Sequence, residues 1–228
     1  MTTQTQGASL RNRTVGELAA TMPGATAVFR RFNVDFCCRG DVALGEAARQ
    51  LGIDAGDVER ELRILEASGA ALPESWETGK LIDHILARYH ETHRRELPEL
   101  IELAKKVEAA HVDHPQAPRG LALLLRQMQG ELEVHMKKEE LILFPAMRRR
   151  SGGGLDAPIA KMRHDHVEHD QHLRQMENIT GGFAQPEGVC RSWQALYSGS
   201  AKLADDLMQH IHLENNVLFP RYQDSYTA

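Results

Sequence analysis

One pattern is written twice in this chain. His135-Met136-Lys137-Lys138-Glu139 runs on to Leu143-Phe144-Pro145, and His210-Ile211-His212-Leu213-Glu214 runs on to Leu218-Phe219-Pro220. Residues four apart on a helix lie one above the other on the same face, so each copy sets an imidazole beside a carboxylate. Such a pair chelates metal. The proline closing each copy predicts that the helix ends or kinks about one turn after the glutamate. Two copies on two helices supply ligands for two metal ions.

The rest of the chain reads as helices that could carry those copies. Residues 1–13 read as a disordered lead. From Thr14, which can cap, the apolar residues Val15, Leu18, Ala19 and Met22 recur at helical spacing until Pro23-Gly24 interrupts them. A second short helix carries Ala27, Val28 and Phe32. A turn through Asp35-Phe36-Cys37-Cys38-Arg39-Gly40 follows, and then two more helices, the last capped by Asp54 with Val58, Leu62 and Leu65 as its buried stripe. This predicts a small helical domain over 14–68 and a linker over 69–79, where Gly69, Pro73 and Gly79 break the pattern.

Four long helical segments are then expected, at about 80–111, 119–148, 158–180 and 188–222, divided by stretches rich in glycine and proline. Pro98 should kink the first of them. No strand pattern stands out. Short connections between long helices imply antiparallel neighbours, so the expected architecture is all-α, an up-down-up-down four-helix bundle over 80–224 preceded by the small domain.

In that topology the start of the first helix, the end of the second, the start of the third and the end of the fourth share one end of the bundle. His84, His135, Glu139, His166, His210 and Glu214 lie near those ends. At about 1.5 Å of rise per residue, ligands within about eight residues of the ends share a level roughly 10 Å deep. Four imidazoles and two carboxylates suit two metal ions if each ion takes two histidines and both glutamates bridge. The donor set without thiolate fits iron, manganese or zinc. Glu131, one turn before His135, and Asp165, beside His166, are candidates for outer partners or for a path of ions or protons. The other histidines, among them His90, His93, His169, His172 and His212, read as surface or outer positions.

Composition narrows the function classes. The net charge is −5 and no basic run exceeds Arg148-Arg149-Arg150, which gives no support for nucleic acid or an anionic membrane as partner. No apolar run approaches the roughly 20 residues of a membrane span, so a soluble, cytoplasmic protein is expected. Three cysteines make no disulfide framework, whereas twelve histidines are many for this length and hint at metal. Adjacent Cys37 and Cys38 beside Arg39 and Gly40 predict a thiolate of lowered pKa that could accept iron, join a partner or cycle its redox state. Cys190 reads as packing.

These strings resemble a known family. Asp35-Phe36-Cys37-Cys38, Leu81-Ile82-Asp83-His84-Ile85 with Arg88-Tyr89-His90 after it, His135 to Glu140, Pro158-Ile159 with Met162 ahead of Asp165-His166, and His210 to Asn216 are similar to the iron-sulphur cluster repair di-iron proteins, the RIC or ScdA family, whose larger part is a hemerythrin-like domain. The resemblance implies that His84, His135, His166 and His210 ligate two irons with Glu139 and Glu214 as bridges, in an oxo- and carboxylate-bridged centre. It further implies a stress protein that restores iron-sulphur clusters damaged by nitric oxide or peroxide by donating iron or binding nitric oxide, as a monomer or homodimer. Its partners would be damaged iron-sulphur proteins or a cluster-assembly scaffold. Two rivals remain: a redox enzyme reducing nitric oxide or peroxide, and a sensor that binds oxygen or nitric oxide. Asp165 stands where the family commonly has Glu, which puts a path through it in doubt. Asp170 stands where oxygen-carrying hemerythrins have a second histidine, which weakens the carrier reading.

Overall fold

The computed structural model describes residues 9–22, 24–65, 76–149 and 154–223. Most of the expected lead, most of the linker at 69–79, Pro23 and the glycine loop at 151–153 lie outside the described residues. The N-terminal unit comprises a 3-10 turn (Leu10–Asn12), α1 (Val15–Thr21), α2 (Ala25–Arg31), α3 (Leu44–Leu51) and α4 (Ala55–Leu65). Thr14 Oγ1 accepts the Glu17 amide at 3.1 Å and Asp54 accepts the Gly56 amide at 2.8 Å, so both expected caps form. Val15, Leu18, Phe29, Val58 and Leu62 close the core between them. Residues 9–13 depart from the expected disordered lead. Leu10 is buried and its amide donates to Glu59 at 2.8 Å, a long-range anchor that local composition does not reveal.

The larger unit is a bundle of four helical rods. The first comprises α5 (Thr78–Ile85), a π turn (Leu86–His90) and α6 (Glu91–Ala110), and the second comprises α7 (Leu121–Lys138), a π turn (Glu139–Leu143) and α8 (Phe144–Arg148). The third is α9 (Asp156–Thr180). The fourth comprises α10 (Arg191–His212), a π turn (Leu213–Leu218) and a closing 3-10 turn (Phe219–Tyr222). The fold is all-α, with an up-down-up-down bundle behind a small helical unit. Among the described residues the only β-type pairing is one isolated bridge, Thr14 to Ala43, and no helix is long and apolar enough to cross a membrane.

The bundle holds two apolar clusters with a polar layer between them. One cluster includes Leu97, Ile101, Leu125, Trp193 and Leu207; the other includes Ile82, Ile85, Phe144, Ile159 and Phe219. Between them along every rod come buried polar residues: His90 and His93, His135 and Glu139, His166 and His169, His210 and Glu214. Burying so many polar groups costs several kcal/mol each unless partners compensate. A layer of this kind marks a site.

The π turns carry the polar layer. In each, the amide after the turn bonds to the carbonyl five residues back: Glu91 to Leu86, Phe144 to Glu139, Phe219 to Glu214. Pro145 and Pro220 follow the second and third turns. A proline has no amide to give the carbonyl four residues earlier, so the regular ladder cannot pass through it, and the wider turn takes up the mismatch. The helix α6 continues through Pro98, and a π turn lies upstream of it at residues 86–90.

One ion pair pins the first π turn to α10. Arg88 donates to both oxygens of Asp206, at 2.6 and 3.1 Å, and Lys202 adds a contact at 2.8 Å. Burial raises the Asp206 pKa, but Arg88 and Lys202 outweigh it and hold the carboxyl below its ordinary value. A carboxyl depressed in the folded state contributes stability above its unfolded pKa and loses it as pH falls through the folded value. Asp206→Asn should therefore cost about 1–2 kcal/mol at neutral pH, toward the low end because Arg88 is half-exposed. Urea unfolding at neutral pH and near pH 3 checks this: the gap between wild type and variant should narrow in acid.

Candidate metal centre

Two groups of ligand atoms converge in the polar layer. His90, His210, Glu139 and Glu214 form one, and His135, His166, Glu139 and Glu214 form the other; in each, the ligand atoms lie within 4.8 Å of one another and every residue is buried. The imidazoles meet in pairs, His90 Nε2 to His210 Nε2 at 3.2 Å and His135 Nε2 to His166 Nε2 at 3.1 Å. Each carboxylate spans both pairs. Glu139 turns one oxygen to His135 and the other to His90, both at 3.4 Å, while Glu214 turns one to His210 at 3.0 Å and the other to His166 at 3.1 Å.

This arrangement fits metal. Both oxygens of Glu139 and one of Glu214 are buried without a hydrogen-bond partner, a costly state for carboxylates that direct ligation would relieve. Two nitrogens bound about 2.1 Å from one ion at near-tetrahedral or octahedral angles stand roughly 3.0–3.4 Å apart, and both imidazole pairs do. The two carboxylates would set two negative charges against those of the cations. The same charges act on the rings: burial disfavours the charged form of His135, but Glu139, Asp165 and Glu214 outweigh it and push its pKa up to about 10.

Outer partners orient the rings, as is usual for ligating histidines. His166 Nδ1 lies 2.9 Å from Asn215 Oδ1, and His90 Nδ1 lies 2.8 Å from Glu140, which Arg94 clasps with bonds of 2.7 and 3.1 Å. Asp165 stands 3.6 Å from His135 Nδ1 and is held by Lys138 and Lys161, at 3.0 and 2.7 Å. Glu131 does not reach this centre. It pairs instead with His172 at 3.3 Å.

The structure corrects the sequence expectation at His84. Its ring packs edge-on against Trp76 and Tyr89, at 5.2 and 5.6 Å, and it joins neither group; His90 stands in the place expected for it. Depth along the bundle did not separate the two. At about 100° per residue, six residues turn the helix face by roughly 240°, so only one of the pair can look inward, and the intervening π turn shifts the face further. The usable signal was the apolar stripe of Ile82, Ile85 and Tyr89, beside which His90 falls. His212, read as surface or outer, is fully buried on the opposite side of α10, edge-on to Phe36 at 5.5 Å. Cys190 is exposed rather than packed.

The cysteine turn docks directly on this layer. Asn215 Nδ2 donates to the Cys37 carbonyl and Asn216 Nδ2 to the Phe36 carbonyl, both at 3.0 Å, and Cys38 Sγ lies 3.6 Å from the His166 carbonyl. One asparagine therefore holds both the cysteine turn and the His166 ring. The expected low-pKa thiolate is not found at Cys37. Its hydrogen bond with Cys38 and its burial push its pKa well up, while Arg39 stays on the surface. The sequence alone does not mark Asn215 and Asn216, since their role exists once the two units are packed.

Comparison with known proteins agrees with this architecture. Residues 81–222 match the profile of the hemerythrin HHE cation binding domain, and residues 11–66 match ScdA_N, described as a domain of unknown function (DUF542). A Pectobacterium atrosepticum protein named iron-sulfur cluster repair protein YtfE is 43% identical over 214 residues, covering 92% of this chain and 96% of its own. Proteins of the same name from Cronobacter sakazakii and Shigella boydii are 43% and 42% identical, each covering over nine-tenths of both chains. With both units matched in order and relatives aligned nearly end to end, the chain belongs to the hemerythrin HHE cation binding family, in the two-unit form shared with the iron-sulfur cluster repair proteins.

Proposed function

We propose that this chain is a non-haem di-iron protein that helps repair iron-sulfur clusters damaged by nitrosative or oxidative stress, by giving up iron or by binding nitric oxide. The observation that carries the reading is the pair of imidazole pairs spanned by two carboxylates, with the cysteine turn seated on the His166 helix. His90 and His210 would hold one iron, His135 and His166 the other, and Glu139 and Glu214 would bridge. Bound there, the irons would supply a reservoir of transferable metal and a position for a small ligand such as nitric oxide or oxygen. The chain's own contribution is burial, ring orientation through Asn215 and Glu140, and a thiol-lined boundary at Cys37 and Cys38 along which iron could leave. Free thiols suit a cytoplasmic setting, where they stay reduced. Its clients would be damaged iron-sulfur proteins or an assembly scaffold.

Glu139→Leu and Glu214→Leu should each lose most of the metal, because each removes an oxygen from both halves. His212→Ala should keep it, since that ring faces the N-terminal unit. Metal analysis after desalting checks this, and equal loss in all three would contradict the assignment. The repair reading itself is tested with isotopically labelled iron on this protein and a nitric oxide-damaged cluster protein: label should appear in the restored cluster. Recovery at the same rate with and without the protein would end it.

A second reading, an enzyme that reduces nitric oxide or peroxide, draws on a 550 Å³ cavity lined in part by His93, Arg94, Arg126 and Met136. His93 stacks on His210 with ring centroids 5.5 Å apart, so a small molecule in the cavity would approach the centre. Sustained turnover with an electron donor would favour this reading over a single stoichiometric release of iron.

A further inference from the structure

Outside the buried centre, a third group of metal-ligating side chains gathers between α7 and α9. Glu131 comes from α7, one turn before His135, while His169 and His172 lie three apart on α9 and share its face. Their ligand atoms all lie within 4.8 Å of one another, and Glu131 stands 3.3 Å from His172 Nδ1.

Two features set this group apart from a solvated ion pair. His169 is buried and its Nε2 has no hydrogen-bond partner; His172 Nδ1, also shielded from solvent, has none either. Buried nitrogens left open beside a carboxylate are what an absent cation would explain. Gln127 braces the group, its amide nitrogen 2.9 Å from Glu131 and 3.3 Å from His172 Nε2. The oxygen and nitrogen of such an amide are interchangeable by a half-turn. Turned over, Gln127 would accept from His172 Nε2–H and give up its bond to Glu131, whose carboxylate would then turn to the ion that His172 Nδ1 is left free to bind.

We propose that Glu131, His169 and His172 form a third cation site, for a divalent first-row transition ion. Two imidazoles and one carboxylate without thiolate suit ferrous, cobalt or zinc ions, and three protein ligands leave a position for water. The site has one side in solvent, with the Glu131 side chain 42% exposed. Its other side reaches the buried centre, because the His169 ring meets His135 edge-on at 5.1 Å. An ion held here stands between solvent and the His135 half of the centre. On the di-metal reading of that centre, this is a position from which ions are loaded.

Equilibrium dialysis of the full-length apoprotein against cobalt(II), with metal analysis, tests the proposal. Wild type should bind one more ion per chain than His172→Ala or Glu131→Gln, both of which alter partly exposed side chains and should leave the helical circular dichroism unchanged. The two variants should also fill their remaining sites more slowly than wild type. The same number of ions, bound equally tightly in wild type and both variants, would overturn the site; equal filling rates would overturn the loading role. Glu214→Leu separates this idea from the di-metal reading. If wild type binds a single ion that survives Glu214→Leu but is lost in His172→Ala, the third site stands and the di-metal reading falls.

Discussion

His90→Ala is expected to lower affinity for one of the two ions by more than about a hundredfold, whereas His84→Ala should leave metal content unchanged. Losing an outer partner of a ligating histidine costs about 10- to 100-fold, and His90 offers a ligand atom itself. The effect should fall unevenly. On the proposed two-iron reading, one ion would keep only His210 and the two carboxylates without His90, while the other would keep both its imidazoles. Metal analysis after dialysis against a weak chelator should then find about one ion per chain in His90→Ala and about two in His84→Ala and wild type. His84→Ala removes only ring contacts with Trp76 and Tyr89, so its cost should be a small loss of stability. Metal loss from His84→Ala with retention in His90→Ala would reverse the assignment.

Gly16→Ala should destabilise the N-terminal unit, while Gly130→Ala should stabilise the bundle, although both glycines lie inside helices. Glycine to alanine in a helix is ordinarily favourable by about 1 kcal/mol. At Gly130 nothing lies within 4 Å of the added Cβ, so that gain should appear in full. At Gly16 the Cβ would stand 2.7 Å from the Gly40 carbonyl oxygen and 2.9 Å from its Cα, in a place where the Gly16 amide bonds that carbonyl at 2.8 Å. Backbone cannot step aside as a flexible side chain can. Overpacking costs about 1–3 kcal/mol or more and should outweigh the propensity gain. Because the displaced turn carries Cys37 and meets Asn216, the Cys37 thiol, buried in the wild type, should react faster with a thiol reagent in Gly16→Ala. An unchanged reaction rate together with a raised melting temperature would show that the turn is not held in this way.

What was legible in the sequence follows from how local each feature is. His135 with Glu139, and His210 with Glu214, fall within a single helical turn, so regular geometry alone brings each pair together. The bundle and its order follow from long amphipathic segments separated by short breaks. The choice between His84 and His90 depends on a π turn, which leaves no mark in hydrophobic spacing, since Ile82, Ile85 and Tyr89 keep ordinary intervals of three and four residues. The raised pKa of Cys37 depends on burial against the bundle, and the roles of Asn215 and Asn216 depend on carbonyls some 180 residues away in sequence. Glu131 is legible as an acid near His135, but its partner His172 lies on another helix. Contacts between separate elements are what spacing along one chain does not encode.

The central claim is a pair of irons in the polar layer, and metal analysis of protein produced with ample iron, joined to an absorption spectrum before and after adding nitric oxide, tests it most directly. About two irons per chain retained by His212→Ala and lost from Glu214→Leu, with a ferric band that changes on nitric oxide addition, is the predicted result. Zinc or no metal in folded, helical protein, with a spectrum indifferent to nitric oxide, would contradict it.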